Sequence, residues 1–224
     1  ARWGIRLGDK TAQVWGLNRQ NREDVYETQS WWHRTLRNGV MLDAFDMTQE
    51  KMQNFGNLMR RFKPQLVIGY ASAMTAFARF LEASGGAGFQ PHAIWLTAEV
   101  THDFQKELVE RVFHAPVYDQ YGSNEVLYLA SECRHRDGLH INADFRKVEV
   151  VDEAGRLLPP GEQGQLVITD LANFAAPLIR YPNEDIGSLL DRTCSCGSGL
   201  PLMSKVTGRI HDMFVLPDGS QVTA

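Results

Sequence analysis

Gln65-Leu-Val-Ile-Gly69 reads as a short buried strand, and the residues after it decide the fold. Residues 71–83 read as a helix closed by Gly85-Gly86, since glycine takes the left-handed conformation that ends helices. Ala93-Ile-Trp-Leu-Thr97 is the next strand, residues 101–113 the next helix, and Pro116-Val-Tyr-Asp-Gln-Tyr121 a further strand. Upstream, Met52, Phe55, Met59 and Phe62 recur at helical spacing over residues 49–62, ahead of Pro64. Strands alternating with helices through short connections imply a parallel sheet with helices packed on it, an α/β layer. Residues 1–48 offer the apolar run Ala12-Gln-Val-Trp-Gly16 within polar, Trp-rich sequence and define no clear element. Trp31-Trp-His33 in that stretch reads as core before pocket wall.

After residue 138 the pattern changes. Leu139-His-Ile141, Lys147-Val-Glu-Val-Val151 and Gln165-Leu-Val-Ile-Thr169 read as strands, with turns at Glu153-Ala-Gly155 and Pro159-Pro-Gly161 between the later two. The expected organisation is an α/β layer over 1–137, a β-rich subdomain over 138–208, and a hinge with the start of a further, C-terminal domain over 209–224.

The 224 residues, 43% hydrophobic, suffice for a real core, and the net charge of −4 supplies no basic face for nucleic acid or an anionic membrane. No apolar run approaches the ~20 residues of a membrane span. Three cysteines make no disulfide framework and point to a reducing, cytoplasmic compartment. The chain opens at Ala1 without an initiator Met and stops soon after Pro217-Asp-Gly219, so a piece of a longer protein is expected.

In open parallel sheets, ligands bind beyond the carboxyl ends of the strands. Tyr121, Gly122 and Ser123 come directly after such a strand. There an aromatic ring can stack on a purine, a glycine admits close approach, and a hydroxyl can meet a phosphate. Glu125 offers the hard oxygen that Mg²⁺ prefers. The same stretch also reads as a plain strand-to-helix turn with Glu125 a first-turn acid. Leu96-Thr-Ala-Glu-Val100 ends another strand, exposing backbone at Ala98 and Glu99 where an adenine edge could be read. Asp185, expected in a Pro-containing turn after Leu178-Ile-Arg-Tyr181, suits a carboxylate that accepts both ribose hydroxyls, or a turn residue bonding its own backbone. Arg180 and Arg209 offer forks for phosphate or carboxylate, or surface ion pairs.

These segments, in this order, resemble the adenylate-forming superfamily and within it the phenylacetate–CoA ligase family. The likeness rests on Tyr121-Gly-Ser-Asn-Glu125, Pro160-Gly-Glu-Gln-Gly-Gln-Leu-Val-Ile-Thr-Asp-Leu171, Pro177-Leu-Ile-Arg-Tyr181, Asp185-Ile-Gly187, Cys194-Ser-Cys-Gly197 and Thr207-Gly-Arg-Ile-His-Asp212. It implies nucleotide contacts by Ala98, Glu99, Gln120, Tyr121, Gly122, Ser123, Asp185 and Arg209. It also implies Mg²⁺ at Glu125, an acyl pocket lined by Tyr70 and Ala71 of Gly69-Tyr-Ala-Ser72, and a hinge at Asp212. Glu125 and Arg209 would then serve catalysis. The family's upstream phosphate loop and its C-terminal domain with the adenylation lysine have no counterpart here, so the chain reads as the middle of such a ligase. Alone it is expected to bind nucleotide weakly and not turn over.

Cys133, His140, Cys194 and Cys196 use every cysteine in the chain, and Cys₃His is a standard tetrahedral zinc set. Idle buried thiols are the alternative. His135, between Arg134 and Arg136, is the rival ligand; His140, at the start of a strand, is preferred. Four protein ligands with no open position define a structural site, and members of the resembled family carry similar cysteines.

Two functions follow. The first is an ATP-dependent acid–CoA ligase that makes an acyl-AMP and passes it to CoA or a carrier-protein thiol, with a small carboxylic acid as substrate; a homodimer is compatible. The second is a non-catalytic, zinc-stabilised nucleotide-binding module. A dinucleotide oxidoreductase is set aside, because Gly85-Gly-Ala-Gly88 follows a helix and not a strand.

Overall fold

The computed structural model describes residues 3–16, 38–209, 213–215 and 221–223. Trp31-Trp-His33 and the hinge expected at Asp212 lie outside the described residues. The chain divides into two compact units, Ala1–Asp119 and Gln120–Ala224.

In the first unit, β1 (Thr11–Trp15), β2 (Gly39–Asp43), β3 (Leu66–Tyr70), β4 (Ala93–Thr97) and the start of β5 (Val117–Ser123) form a parallel sheet ordered β2-β1-β3-β4-β5. Helices α1 (Gln49–Phe62), α2 (Ala71–Ala83) and α3 (Asp103–Phe113) connect successive strands from β2 to β5. Thr48 Oγ1 caps α1 by accepting from Lys51 N–H at 3.3 Å, and left-handed Lys63 before Pro64 ends it. Gly85 and Gly86, both at positive φ, close α2, with Gly86 N–H donating to the Leu81 carbonyl at 2.7 Å. The apolar stripes meet in a core of Val14, Met59, Val67, Met74, Phe77, Leu81, Ile94, Leu96 and Phe113. Phe77 stands between Phe55 and Phe113, with ring centroids at 5.6 and 6.3 Å.

The second unit is antiparallel. After β5 come β6 (Leu127–Glu132), β7 (Leu139–Ile141), β8 (Arg146–Val151), β9 (Gly164–Asp170), β10 (Tyr181–Gly187), β11 (Leu189–Leu190), β12 (Leu202–Met203) and β13 (Gly208–Arg209). The end of β5 continues into an antiparallel ladder ordered β11-β12-β7-β6-β5, and a second sheet is ordered β13-β10-β9-β8. Val126, Leu129, Leu139, Ile141, Val148, Val150, Leu166, Ile168 and Met203 form this unit's core.

Two local expectations are corrected. Tyr121, Gly122 and Ser123 do not follow β5 but are its last residues, and the chain returns as β6, so no helix begins at Glu125. The ladder is irregular between Tyr121 and Gly122, and a Cβ on Gly122 would lie 2.0 Å from the Leu127 carbonyl oxygen. Only glycine fits that close approach. Asp185 is not in a turn but inside β10, whose pairing with β9 is interrupted between Pro182 and Ile186. Among the described residues no helix is long and apolar enough to cross a membrane.

Candidate nucleotide site and metal centre

In the second unit, Tyr121, Asn183, Asp185 and Arg209 join in one hydrogen-bonded group. Tyr121 Oη donates to Asp185 Oδ2 at 2.6 Å. Asn183 Nδ2 donates to Tyr121 Oη and to Asp185 Oδ2, each at 2.7 Å. Arg209 faces Asp185 across the β10–β13 ladder, and its Nε reaches Asp185 Oδ1 at 3.1 Å. Asp185 is buried, while the Arg209 side chain stays 62% exposed. Burial, then the charge and hydrogen bond of Asp185, push the Tyr121 phenol well above its ordinary range, so it remains a neutral donor. Asn183 was not singled out from the sequence.

Glu125 is exposed in the β5–β6 turn, and its carboxyl is held below the ordinary value of 4.5, chiefly by the Ser123 hydroxyl and then by its own backbone N–H. The nearby Arg209 charge and Tyr181 hydroxyl act in the same direction. An ionised, solvent-facing carboxylate of this kind can ligate a hard cation. Gln120 is buried, and its Oε1 has no hydrogen-bond partner among the described residues. The fork of Arg180 is directed elsewhere, with Nε 3.6 Å from Glu149.

In the first unit, Ala98 takes a left-handed φ of 67° directly after β4, leaving its backbone exposed. The Glu99 side chain is occupied locally: it accepts from Ser72 N–H and Ser72 Oγ, both at 2.7 Å. Tyr70 packs its ring at a tilt of 46° against Trp15, with centroids 4.6 Å apart, and approaches Phe45 at 6.3 Å, making an aromatic corner at the end of β3. Ala71 is fully buried in the core, so a ligand could meet only its neighbours.

Cys133, His140, Cys194 and Cys196 converge, with their ligand atoms all within 4.8 Å of one another. Cys133 Sγ and Cys194 Sγ are 3.6 Å apart, and Cys196 Sγ lies 3.5 Å from His140 Nε2. A tetrahedral zinc would set S···S near 3.8 Å and S···N near 3.6 Å, from bonds of about 2.3 and 2.05 Å. The donor set therefore fits that ion. His135 stays out of the cluster: its ring meets Ser195 Oγ at 2.9 Å, and its backbone N–H donates to Cys133 Sγ at 3.3 Å. Burial, opposed by the Cys196 backbone N–H and reinforced by the Cys196 and Cys133 side chains, pushes the Cys194 thiol up to about 11.

The fold is that of solved adenylate-forming CoA ligases. A 2-hydroxyisobutyryl-CoA ligase, solved in complex with the adenylate R3-HIB-AMP, superposes at a TM-score of 0.78 and 20% identity, over 99% of this chain and 48% of that one. Among curated proteins, a phenylacetate–CoA ligase of Pseudomonas putida is 31% identical over 170 residues, covering 71% of this chain and 37% of its own length. Another, from Thermus thermophilus, is 38% identical over 100 residues, covering 43% of this chain and 22% of its own length. No family model matches the chain. The chain belongs to the phenylacetate–CoA ligase family, and it spans little more than a third of the length of the first of these relatives, 37%.

Proposed function

We propose that this chain serves an ATP-dependent acid–CoA ligase reaction. A carboxylic acid attacks the α-phosphate of ATP to give an acyl-AMP and pyrophosphate, and the CoA thiol then displaces AMP to give an acyl-CoA. The observation that carries the reading is the Tyr121–Asn183–Asp185–Arg209 group: a buried carboxylate backed by neutral donors beside an exposed guanidinium. Asp185 would accept the ribose hydroxyls, Tyr121 would flank the adenine, and Arg209 would reach the phosphate side. Backbone at Gly122, with Gln120 and Ser123, would complete this unit's nucleotide contacts. Positioning and electrostatic stabilisation do the chemistry, without a covalent enzyme nucleophile.

Glu125 would hold Mg²⁺, which when bound neutralises phosphate charge. Tyr70 and its aromatic neighbours would line the acid pocket. Cys133, His140, Cys194 and Cys196 would hold a structural zinc, closed by four protein ligands. The same zinc set would also suit a non-catalytic nucleotide-binding module, and a carrier-protein thiol could stand in for CoA. The deciding experiment is acid-dependent ATP–pyrophosphate exchange by the full-length protein across aryl and alkyl acids. Exchange with any acid supports the ligase; nucleotide binding without exchange supports the module.

A further inference from the structure

Asn183 and Asp185 stand two positions apart on β10, on the same face, in the stretch where the ladder to β9 is broken. Glu184 between them takes a left-handed φ of 60°, an uncommon conformation for a non-glycine residue. Both side chains are buried, Asn183 at 9% and Asp185 at 5% exposure. An ionised carboxylate only accepts, so the amide nitrogen of Asn183, and not its oxygen, must face Asp185. Asn183 spends its donor group twice, on Tyr121 Oη and on Asp185 Oδ2, both at 2.7 Å. Tyr121 Oη, accepting from Asn183, is left to donate to the same Oδ2 at 2.6 Å. The three groups close a ring in which every proton has one direction.

The ring has a consequence for ligands. A carboxylate offers about four acceptor positions. Two of those on Asp185 are filled by Tyr121 and Asn183, both on Oδ2, while among the described residues Oδ1 carries only the exposed Arg209. The edge a ligand hydroxyl can reach is therefore the Oδ1 edge, and its direction is set by the ring behind it.

We propose that Asn183 is a positioning residue: it fixes the Asp185 carboxylate and the Tyr121 hydroxyl in one arrangement and acts on bound nucleotide only through them. This rests on the reading that Asp185 binds ribose, and the test separates the two. Affinities for AMP and for 2′,3′-dideoxy-AMP are measured by calorimetry on the full-length protein and on Asn183→Ala. Wild type should prefer AMP, and Asn183→Ala should weaken AMP about tenfold while leaving the dideoxy nucleotide within about twofold. Asn183→Thr, which keeps a single donor in a similar volume, should lose less, and again only toward the nucleotide with hydroxyls. A preference for AMP in wild type with equal losses for both nucleotides in both variants overturns the positioning role alone. Equal binding of both nucleotides by wild type overturns the ribose reading and this proposal with it.

Discussion

Glu99 takes both hydrogen bonds that Ser72 can donate, from N–H and from Oγ, each at 2.7 Å. Tyr70, at the cap position of α2, makes no side-chain cap, and the first turn of α2 holds no acidic residue. The carboxylate that a helix start favours is therefore supplied from the loop after β4, 27 positions along the chain. One side chain ties the corner carrying Tyr70 to the corner carrying Ala98.

Glu99→Ala should accordingly lower the stability of the fold by about 1 kcal/mol, as loss of a helix cap does. Ser72→Ala should cost less, because the backbone N–H keeps its partner. Urea unfolding of the two variants gives the comparison, and an unchanged midpoint in Glu99→Ala would remove the capping role.

Loss of the buried carboxylate should be felt wherever ribose is present. Asp185→Ala should weaken ATP and AMP alike, by about 10- to 100-fold, the range expected for charge-assisted hydrogen bonds. Glu125→Ala should leave AMP affinity within about twofold and depress the Mg²⁺-dependent adenylation rate. Acid adenylation at wild-type rates in both variants would reduce the constellation to a structural one.

The carboxyl of Glu125 also has a pH signature. Its folded-state value lies below the ordinary 4.5. Its contribution to stability is thus complete above that ordinary value and fades as pH falls through the lower, folded-state one. An NMR titration should place its midpoint under 4.5, and Ser123→Ala, which removes the largest cause, should raise it. A midpoint indifferent to Ser123 would assign the shift to another neighbour.

Protein purified without added metal should contain about one zinc per chain, given the high affinity of four-ligand sites. Cys196→Ser should lower the melting temperature far more than His135→Ala, since the His135 ring is engaged by Ser195 outside the cluster. A metal-free protein of undiminished stability would reject the assignment.

The hinge expected at Asp212 is tested by proline. In the full-length protein, Asp212→Pro should slow thioester formation while sparing acid-dependent pyrophosphate exchange, because only the second half-reaction needs the pivot. Equal loss in both half-reactions would mean misfolding.

The elements read well from sequence are those whose signals are local. α1 and α2 carry apolar residues at helical spacing and end on Lys63-Pro64 and Gly85-Gly86, and the helices span Gln49–Phe62 and Ala71–Ala83 as expected. β1 and β2 were not read as strands, because their burial comes from pairing with each other and with β3, not from a strong pattern. β10 is hidden by its composition: Pro182-Asn-Glu-Asp185 looks like a turn, and its strand character comes from distant partners, β9 on either side of the break and β13 at Asp185 and Ile186. Asn183 was invisible for a related reason, since its partner Tyr121 lies 62 residues away. The Cys133, His140, Cys194 and Cys196 cluster stands out because thiol and imidazole chemistry is specific to residue type, and the structure brings their ligand atoms together.

The thiol–imidazole cluster joins Cys133 to Cys194 across 61 positions of chain, and β8, β9 and β10 lie inside that span. With a metal in place it would act as a clasp, leaving Asn183 and Asp185 on a closed loop whose ends cannot separate. A protease cut at the Asp152–Arg156 turn would then leave the two pieces joined by the clasp as well as by the β8–β9 and β7–β12 ladders, so that in a denaturant that undoes the ladders they would part only once a chelator opened the clasp.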